Sequence, residues 1–350
     1  MITLLVVPLL LPWILPPLAR RTAERVRPDI ALWAVTLGTA TLALGVVACL
    51  GTLLLPLALR LPAVAAFAHL LQPVQAGPSV LVSCVSMLAG GALAVSATAG
   101  TRGARAELTR LRAARELVAG VPEAGGLCVL DDERADAFAL PGWLRRSGRI
   151  VVTAGMLRAL DPGEREALLG HERAHLAGRH HLFLSAAQLA GWCHPALAGV
   201  VPVVSFAAER TADEAAARAC GDRRTAARAI GRAALASASR RGGLQVPTAA
   251  ARGTTGPVPA RVKALLAEAP VRRVAPAVLA MALLCTAAGA SSLGGALWLH
   301  RGVELAQGEH LPDGRLQLPA RPHRAADHSP RLGRGPRAVQ PPSGSLVTVR

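Results

Sequence analysis

Long apolar runs alternate with short arginine-rich segments along this chain. Residues 2–19, 30–59, 79–100 and 274–299 contain no charged side chain. Each run is close to or beyond the roughly 20 residues that a helix needs to cross a bilayer. The pattern predicts four membrane-spanning helices, of which the first is made irregular by its prolines and the second ends near Pro56.

The distribution of arginine predicts how these helices are oriented. The loop after the second run has only Arg60 at its edge, whereas arginines are frequent before the second run, after the third and just before the fourth. Cytoplasmic loops carry the excess of basic residues. We therefore expect a multi-pass protein of the cell membrane, with three helices in residues 1–100, a cytoplasmic domain at 101–273 and a last helix at 274–299. Residues 300–350 are rich in proline, arginine and glycine, and they are expected to form a disordered basic tail outside the cell.

The composition indicates whether the chain binds nucleic acid or a lipid bilayer. The formal charge of +17 comes almost wholly from arginine, since Lys263 is the only lysine. Such an excess can indicate nucleic-acid binding, but the chain has no tyrosine and only four phenylalanines to stack on bases. Because the arginines lie beside apolar runs, they favour the lipid bilayer and its anionic headgroups as partner, and no direct contact with nucleic acid is expected. Six cysteines without a CxxC pair argue against a disulfide framework and against a thiolate zinc site.

The predicted cytoplasmic region combines helical and extended patterns. Residues 102–117 have the pattern of an amphipathic helix with a basic face. Residues 127–130 and 150–153 are short, apolar and partly β-branched, which is typical of strands. The segment Asp161-Pro162-Gly163-Glu164 indicates a helix start, because it supplies an N-cap, a first-turn proline and a capping-box glutamate.

A metal-binding motif lies within that helix. The residues His171-Glu172-Arg173-Ala174-His175 form an HExxH sequence, and residues four apart on a helix lie on one face. Both imidazoles can therefore bind a single Zn²⁺ ion, while Glu172 takes a proton from the water that attacks a peptide carbonyl. An exposed helix face with paired charges is the alternative interpretation.

A third ligand must come from another segment, because catalytic zinc usually has three protein ligands. Glu209 and Asp213 stand four residues apart at the start of a second predicted helix, which is rich in alanine and closes at Gly221. Glu209 could bind the metal, and Asp213 could orient one of its ligands. A solvated acidic face on an alanine-rich helix is the alternative interpretation.

Residues 182–208 separate these two helices and are uncharged throughout. A single membrane crossing would leave Glu209 roughly 30 Å from the two histidines, on the other side of the bilayer. Pro195 and Pro202 offer places to interrupt a helix. The sequence therefore predicts an apolar helical hairpin that dips into the membrane or lies on it and returns the chain to the same face.

Three parts of the chain resemble membrane-bound gluzincin peptidases. They are Ala137-Phe138-Ala139-Leu140-Pro141-Gly142 with the later Ile150-Val151-Val152-Thr153, the HExxH motif, and Glu209-Arg210-Thr211-Ala212-Asp213. Two related groups fit: the BlaR/MecR-type regulatory metallopeptidases, and HtpX together with the CAAX prenyl endopeptidases. The order of three predicted spans before the motif and one after it favours the BlaR/MecR side, as do His194-Pro195 and Arg218-Ala219-Cys220-Gly221.

The resemblance implies a mainly α membrane protein, made of transmembrane helices and a small α+β zincin-like metallopeptidase domain. It implies one Zn²⁺ ion held by His171, His175 and Glu209, with Glu172 as the base. Arg261 lies in a motif, Arg261-Val262-Lys263-Ala264-Leu265, that resembles one shared by both groups, and it could support the site. His180 could also support it. An ordinary surface helix and a solvated helix end are the alternative interpretations of these two side chains.

The resemblance further implies a protein substrate, cut at a peptide bond. Regulatory cleavage of a cytoplasmic repressor is the leading interpretation, and the alternatives are quality control of membrane proteins and a non-catalytic scaffold of the same fold. The best-known BlaR/MecR members carry a penicillin-binding sensor domain after their last helix. Residues 300–350 contain no SxxK motif, so direct sensing of β-lactams is not expected of this chain.

Overall fold

The computed structural model describes residues 7–58, 79–142, 147–238, 257–267 and 275–306. These residues are mostly helical and contain one small sheet. The chain divides into two compact units, Met1–Glu309 and His310–Arg350, and all of the described residues belong to the first. Most of the tail predicted at 300–350 therefore lies outside the described residues.

The first predicted span is interrupted by its prolines, as expected. A short 3₁₀ helix at Leu11–Trp13 precedes helix α1, Leu15–Arg25, which has a proline in its first turn. Helix α2 spans Pro28–Ala58. The prediction that this helix ends near Pro56 is confirmed, since Pro56 lies in its last turn and the helix ends at Ala58.

Helix α3 is a single element of 39 residues, Ser79–Leu117. Both stretches predicted to be helical, 79–100 and 102–117, lie within it. They join without a break, and no proline stands between Ser79 and Leu117 to interrupt the backbone hydrogen bonds. One helix thus connects the apolar run directly to the small sheet.

Two helices among the described residues, α2 and α3, are long and apolar enough to cross a membrane. By itself this is weak evidence of membrane association, since the core helix of a soluble protein can pass the same test. The last apolar run forms helix α11, Ala275–Ala306, which continues beyond the predicted end at residue 299.

Four strands form the sheet, in the order β1-β2-β4-β3. Strands β2, Leu127–Leu130, and β4, Arg149–Thr153, confirm the two strand predictions and pair in parallel. The other two strands, which the sequence pattern had not predicted, are β1, Glu123–Ala124, and β3, Ala137–Leu140. Strand β3 pairs antiparallel with β4 and forms one edge of the sheet.

The alternation of side chains along the strands places the sheet between two helical layers. Val151 and Phe138 point to one face, where they pack with Ala114 and Val118 at the end of α3. Val152 points to the other face. That second face is covered by helices α4, Ala154–Ala159, and α5, Pro162–Ala177.

After α5 the chain forms three helices, the last of which lies beside α5 again. They are α6, His180–Cys193, α7, Pro195–Ala198, and α8, Val201–Cys220. The expected interruption at Pro195 is present, whereas Pro202 lies in the first turn of α8. The prediction that a helix starts at Glu209 is wrong, because α8 begins eight residues earlier, at Val201. Helix α8 closes as expected at Gly221, whose φ is +73°.

The largest apolar core joins these returning helices to the N-terminal helices. Leu15 of α1, Val35 and Leu42 of α2, Leu197 of α7 and Val204 of α8 are all fully buried in it. Two further helices, α9 at Arg223–Ala238 and α10 at Val258–Leu266, complete the described fold. They pack together with α5 and α8 through a second, alanine-rich cluster.

Candidate metal centre

The start of helix α5 is fixed by the capping box that the sequence predicted. The amide of Glu164 donates to the Asp161 carboxylate at 3.0 Å, and the amide of Asp161 donates to Glu164 at 3.1 Å. Pro162 occupies the first turn. Arg232 of α9 reaches the buried Glu164 carboxylate at 2.6 Å. These contacts hold the helix that carries the HExxH motif against the rest of the domain.

The two histidines of the motif point their Nε2 atoms towards each other. These atoms lie 3.1 Å apart, as expected for side chains one helical turn apart on one face. Helix α8 passes beside α5 and contributes Glu209, whose two carboxylate oxygens lie 3.5 Å from the Nε2 atoms of His171 and His175. His171, His175 and Glu209 thus converge on one point, and their ligand atoms lie within 4.8 Å of one another.

A glycine permits the close approach of the two helices. A Cβ atom added to Gly170 would lie 2.6 Å from the Cβ of Ala219 and 3.4 Å from the Cα of Ala216, both on α8. Two carbon atoms cannot approach to 2.6 Å without a shift of the helices. Gly170 immediately precedes His171, so its missing side chain sets the spacing between the histidines and Glu209.

The three ligand atoms fit a divalent metal with tetrahedral preference. Bonds of about 2.1 Å in a tetrahedral site separate neighbouring ligand atoms by about 3.4 Å. The measured separations of 3.1, 3.5 and 3.5 Å lie close to that value. Two imidazoles and one carboxylate could therefore hold such an ion without rearrangement.

The other nitrogen of each histidine faces its own partner. Nδ1 of His171 lies 3.0 Å from the Asp213 carboxylate, and Nδ1 of His175 lies 2.9 Å from Nδ1 of His180. A hydrogen on each Nδ1 leaves the Nε2 lone pairs free for a metal. His180 is 2% exposed, so its interpretation as a solvated helix end is wrong.

Arg261 joins the two acidic residues of α8. Its Nη1 atom lies 2.9 Å from Glu209, and its Nε and Nη2 atoms donate to Asp213 at 2.8 and 2.5 Å. The side chain is 6% exposed, which excludes the interpretation as an ordinary surface helix. The guanidinium group balances the charge of both carboxylates and fixes their orientation.

The electrostatics of the site favour positive charge beside the carboxylates of Glu209 and Asp213. Burial lowers the pKa of His171, but the nearby Asp213 and Glu209 outweigh this effect and raise it to about 10. Burial opposes ionisation of Glu209, yet contact with His171 and the charge of Arg261 hold its pKa below the usual range. For His175, burial and the charge of His171 lower the pKa to about 3.

Glu172 lies beside this cluster and does not belong to it. It is 7% exposed, and burial together with the neighbouring charges of Glu209 and Asp136 raises its pKa to about 7, against the opposing influence of His171. The backbone amide of Ala139 lies close to its carboxylate and lowers the pKa of Glu172 in part. A buried carboxylate with a pKa near neutrality can both accept and return a proton.

The open edge of strand β3 faces Glu172. The amide of Ile150 donates to the carbonyl of Gly126, so the backbone groups of Ile150 point away from β3. Backbone groups alternate in direction along a strand, and those of the next residue, Val151, therefore point towards its β3 partner Phe138. The backbone groups of Ala137 and Ala139 therefore point away from β4. Motif spacing does not identify Ala139, because this residue acts through its backbone; the Ala137–Gly142 segment, which resembles gluzincin peptidases, contains it.

Comparison with known proteins agrees with a metallopeptidase. The family model for Peptidase family M48 matches residues 106–194, about a quarter of the chain, a stretch that contains the HExxH motif and ends before Glu209. The match supports the M48 metallopeptidase family, whose members depend on a metal, and it does not single out the BlaR/MecR type. No curated protein and no solved structure matches the chain.

Proposed function

We propose that this chain is a membrane-bound, zinc-dependent endopeptidase that cuts an extended segment of a protein substrate. The observation that carries the proposal is the convergence of His171, His175 and Glu209 beside the buried carboxylate of Glu172. Two imidazoles and one carboxylate form a ligand set that zinc uses in peptidases. A bound zinc ion would supply Lewis-acid activation of a water molecule and of the substrate carbonyl.

Glu172 is the general base in this mechanism. Its pKa of about 7 allows it to remove a proton from the attacking water and to return a proton to the leaving amine. Asp213 and His180 hold His171 and His175 with Nε2 towards the ligand site. Glu172 thus transfers protons, while Asp213 and His180 orient the metal ligands.

The substrate is bound as an added strand on the edge of β3. The backbone carbonyl groups of Ala137 and Ala139 face away from β4, and the amides of an extended peptide placed there can donate to them. The amide of Ala137 itself donates to the Asp136 carboxylate at 2.9 Å. The contact between Ala139 and Glu172 brings such a peptide to the proton-transfer group. An unfolded or looped segment, and not a folded helix, is the form that fits this edge.

The apolar surface of α2 and α3 supports a position in the membrane. Only 11% of the apolar window of α3 is buried within the protein, which is unlike the core helix of a soluble domain. Large side chains such as Leu44, Val80 and Leu88 are at least 70% exposed, and a bilayer would cover them at no cost in hydration. The arginine distribution favours a cytoplasmic site, with the apolar helices at 182–208 at or within the membrane surface.

A substitution pair tests the chemistry. Full-length protein in detergent or nanodiscs should bind one zinc ion per chain, and Glu172→Gln should keep the zinc while lowering peptide cleavage by roughly 10²- to 10⁴-fold. Glu166→Gln is the matched control, since it changes an exposed glutamate on the same helix. Cleavage by Glu172→Gln at the wild-type rate, or wild-type protein without zinc, would overturn the proposal.

The same variant separates the two substrate classes. We propose regulatory cleavage of a cytoplasmic repressor as the leading role, with quality control of membrane proteins as the alternative. The inactive Glu172→Gln protein should retain its substrates, so affinity purification followed by mass spectrometry identifies them. One enriched soluble regulator favours the first role, and a broad set of misfolded membrane proteins favours the second.

A further inference from the structure

A cavity of about 380 Å³ opens where strand β3 ends. Pro141 and Gly142, which follow β3, form one side, and Leu176 near the end of α5 forms another. Arg179, between α5 and α6, and His181 and Leu182, in the first turn of α6, also line it. None of these side chains takes part in the cluster of His171, His175 and Glu209, so the mechanism above leaves the cavity without a role.

The cavity lies on the path of a peptide bound along β3. Leu176 is one helical turn after Glu172, about 6 Å along the same face of α5. Pro141 is two residues after Ala139, about 7 Å along the strand. Ala139 of β3 lies beside Glu172 of α5, and Pro141 and Leu176 both line the cavity. Strand β3 and helix α5 therefore run in the same direction from Glu172 to the cavity. A peptide strand that passes Glu172 therefore reaches the cavity about two residues later.

A glycine keeps this space open. A Cβ atom on Gly148, which also lines the cavity, would lie 2.9 Å from a methyl group of Leu176 and 3.3 Å from the carbonyl oxygen of Leu140. Any larger residue would push Leu176 and narrow the space. The volume exceeds that of a single side chain, so a substrate residue can enter with a few water molecules.

Among the described residues that line the cavity, Arg179 carries the charge. Burial and the neighbouring Arg179 lower the pKa of His181, so this imidazole is largely neutral at pH 7. Arg179 adopts φ +49°, a left-handed conformation that is uncommon for a side chain with a Cβ. This backbone conformation turns the chain from α5 into α6 while Arg179 lines the cavity.

We propose that the cavity is a substrate subsite in which Arg179 binds a carboxylate of the substrate peptide, about two residues from the cut bond. The proposal rests on the proposed endopeptidase function and adds a sequence preference to it. An arginine in a half-open cavity pairs with carboxylates in a planar, two-point geometry. The carboxylate can belong to an internal glutamate or aspartate or to the end of the substrate chain.

Peptide cleavage by the full-length protein tests the subsite. A set of amidated peptides places Glu, Gln or Lys in turn at each of three positions on both sides of the cut bond, and a second set has free C-terminal carboxylates. We expect wild-type kcat/KM to be about fivefold higher for Glu than for Gln at one position. If only the free-acid peptides show a preference, the carboxylate is that of the chain end; if the amidated Glu peptides show it, the side chain is bound.

Four variants tie the preference to Arg179. Arg179→Lys should keep the preference for Glu; Arg179→Asn, whose side chain tolerates the left-handed conformation, should abolish it; and Arg179→Glu should reverse it in favour of Lys. Arg218→Glu makes the same charge change on an exposed part of α8 and should leave the preference unchanged. Zinc content measured for each variant verifies that the site has folded.

Two results would overturn the inference, and they differ from failure of the proposed function. If the Glu/Lys ratio is the same in wild type, Arg179→Asn and Arg179→Glu, the cavity does not select a carboxylate. If Arg218→Glu shifts the ratio as much as Arg179→Glu, the effect is one of overall charge. Failure of the proposed function has another signature: no peptide would be cut in a manner that depends on Glu172.

Discussion

The Nδ1 atom of His180 lies 2.9 Å from the Nδ1 atom of His175. One of the two nitrogens must donate and the other accept. If His175 donates, its Nε2 lone pair faces the position between His171 and Glu209. His180, five residues further along the chain, therefore selects the tautomer in which His175 can be a metal ligand.

His180→Ala should lower zinc affinity by about 10- to 100-fold, the usual consequence of removing such a partner. His180→Asn should retain most of the affinity, because the Asn amide oxygen can take the position of Nδ1 as acceptor. Competition against a fluorescent chelator measures the affinity. His181→Ala, which removes the adjacent imidazole, is the control for metal binding, and equal losses in both alanine variants would contradict this role.

Arg261→Gln should destabilise the domain by about 3–5 kcal/mol, because it leaves Glu209 and Asp213 buried without a counter-charge. Added zinc should recover part of this loss, since a metal cation would partly replace the missing positive charge. The apparent unfolding temperature, measured with zinc and with EDTA, tests both statements.

Arg158→Gln is the comparison for that measurement. Arg158 pairs with Glu133 at 2.6 Å, but the two side chains are 55% and 75% exposed, so the loss should stay below about 1 kcal/mol. If Arg261→Gln were no more destabilising than Arg158→Gln, the buried network would have no structural importance.

Gly170→Ala should weaken zinc binding and lower stability, although alanine usually stabilises a helix interior by about 1 kcal/mol relative to glycine. The added methyl group would meet the Cβ of Ala219 at 2.6 Å and push Glu209 away from the histidines. The second substitution Ala219→Gly should restore binding, because it removes the other partner of the clash.

Gly231→Ala on α9 should change stability in the opposite direction to Gly170→Ala. A Cβ atom at this position meets nothing within 4 Å, so the variant should be slightly more stable than the wild type. Thermal unfolding and zinc titration are measured for the wild type, Gly170→Ala, the double variant with Ala219→Gly, and Gly231→Ala. Together they distinguish a specific contact between α5 and α8 from a general intolerance of alanine in place of glycine.

Strand pairing on β3 predicts a periodic effect of N-methylation in the substrate. Methylation of a peptide amide that faces Ala137 or Ala139 should lower kcat/KM by about 2- to 12-fold, the equivalent of one hydrogen bond. Amides one residue along face away from the edge and should tolerate the methyl group. Uniform losses at all positions, seen in a scan of singly methylated peptides, would rule out binding as an added strand.

Local patterns were sufficient for the features that depend on neighbouring residues. The capping box at Asp161 and the strands at 127–130 and 150–153 follow from side chains within a few positions of each other. The spacing of His171 and His175 likewise places both on one helix face. Interactions of this kind repeat with the period of the secondary structure, so the sequence displays them directly.

Strand β3 and the continuity of α3 were not visible in the same way. The Ala137–Leu140 segment has little strand propensity of its own and is extended because β4 pairs with it. In α3, the change from apolar to basic residues near position 101 marks a change of surroundings without a change of backbone.

By itself the sequence determined the chemistry that the chain offers: two imidazoles and a carboxylate base at helical spacing, and a second acidic pair. Only the tertiary structure decided which of the distant side chains lie beside them. Glu209 and His180 come together because the helices after α5 turn back and pack against α1 and α2, and because Gly170 lets α5 and α8 approach. Arg261 joins them because α10 packs with α5, α8 and α9. Such contacts join residues of any sequence separation, and no local period encodes them.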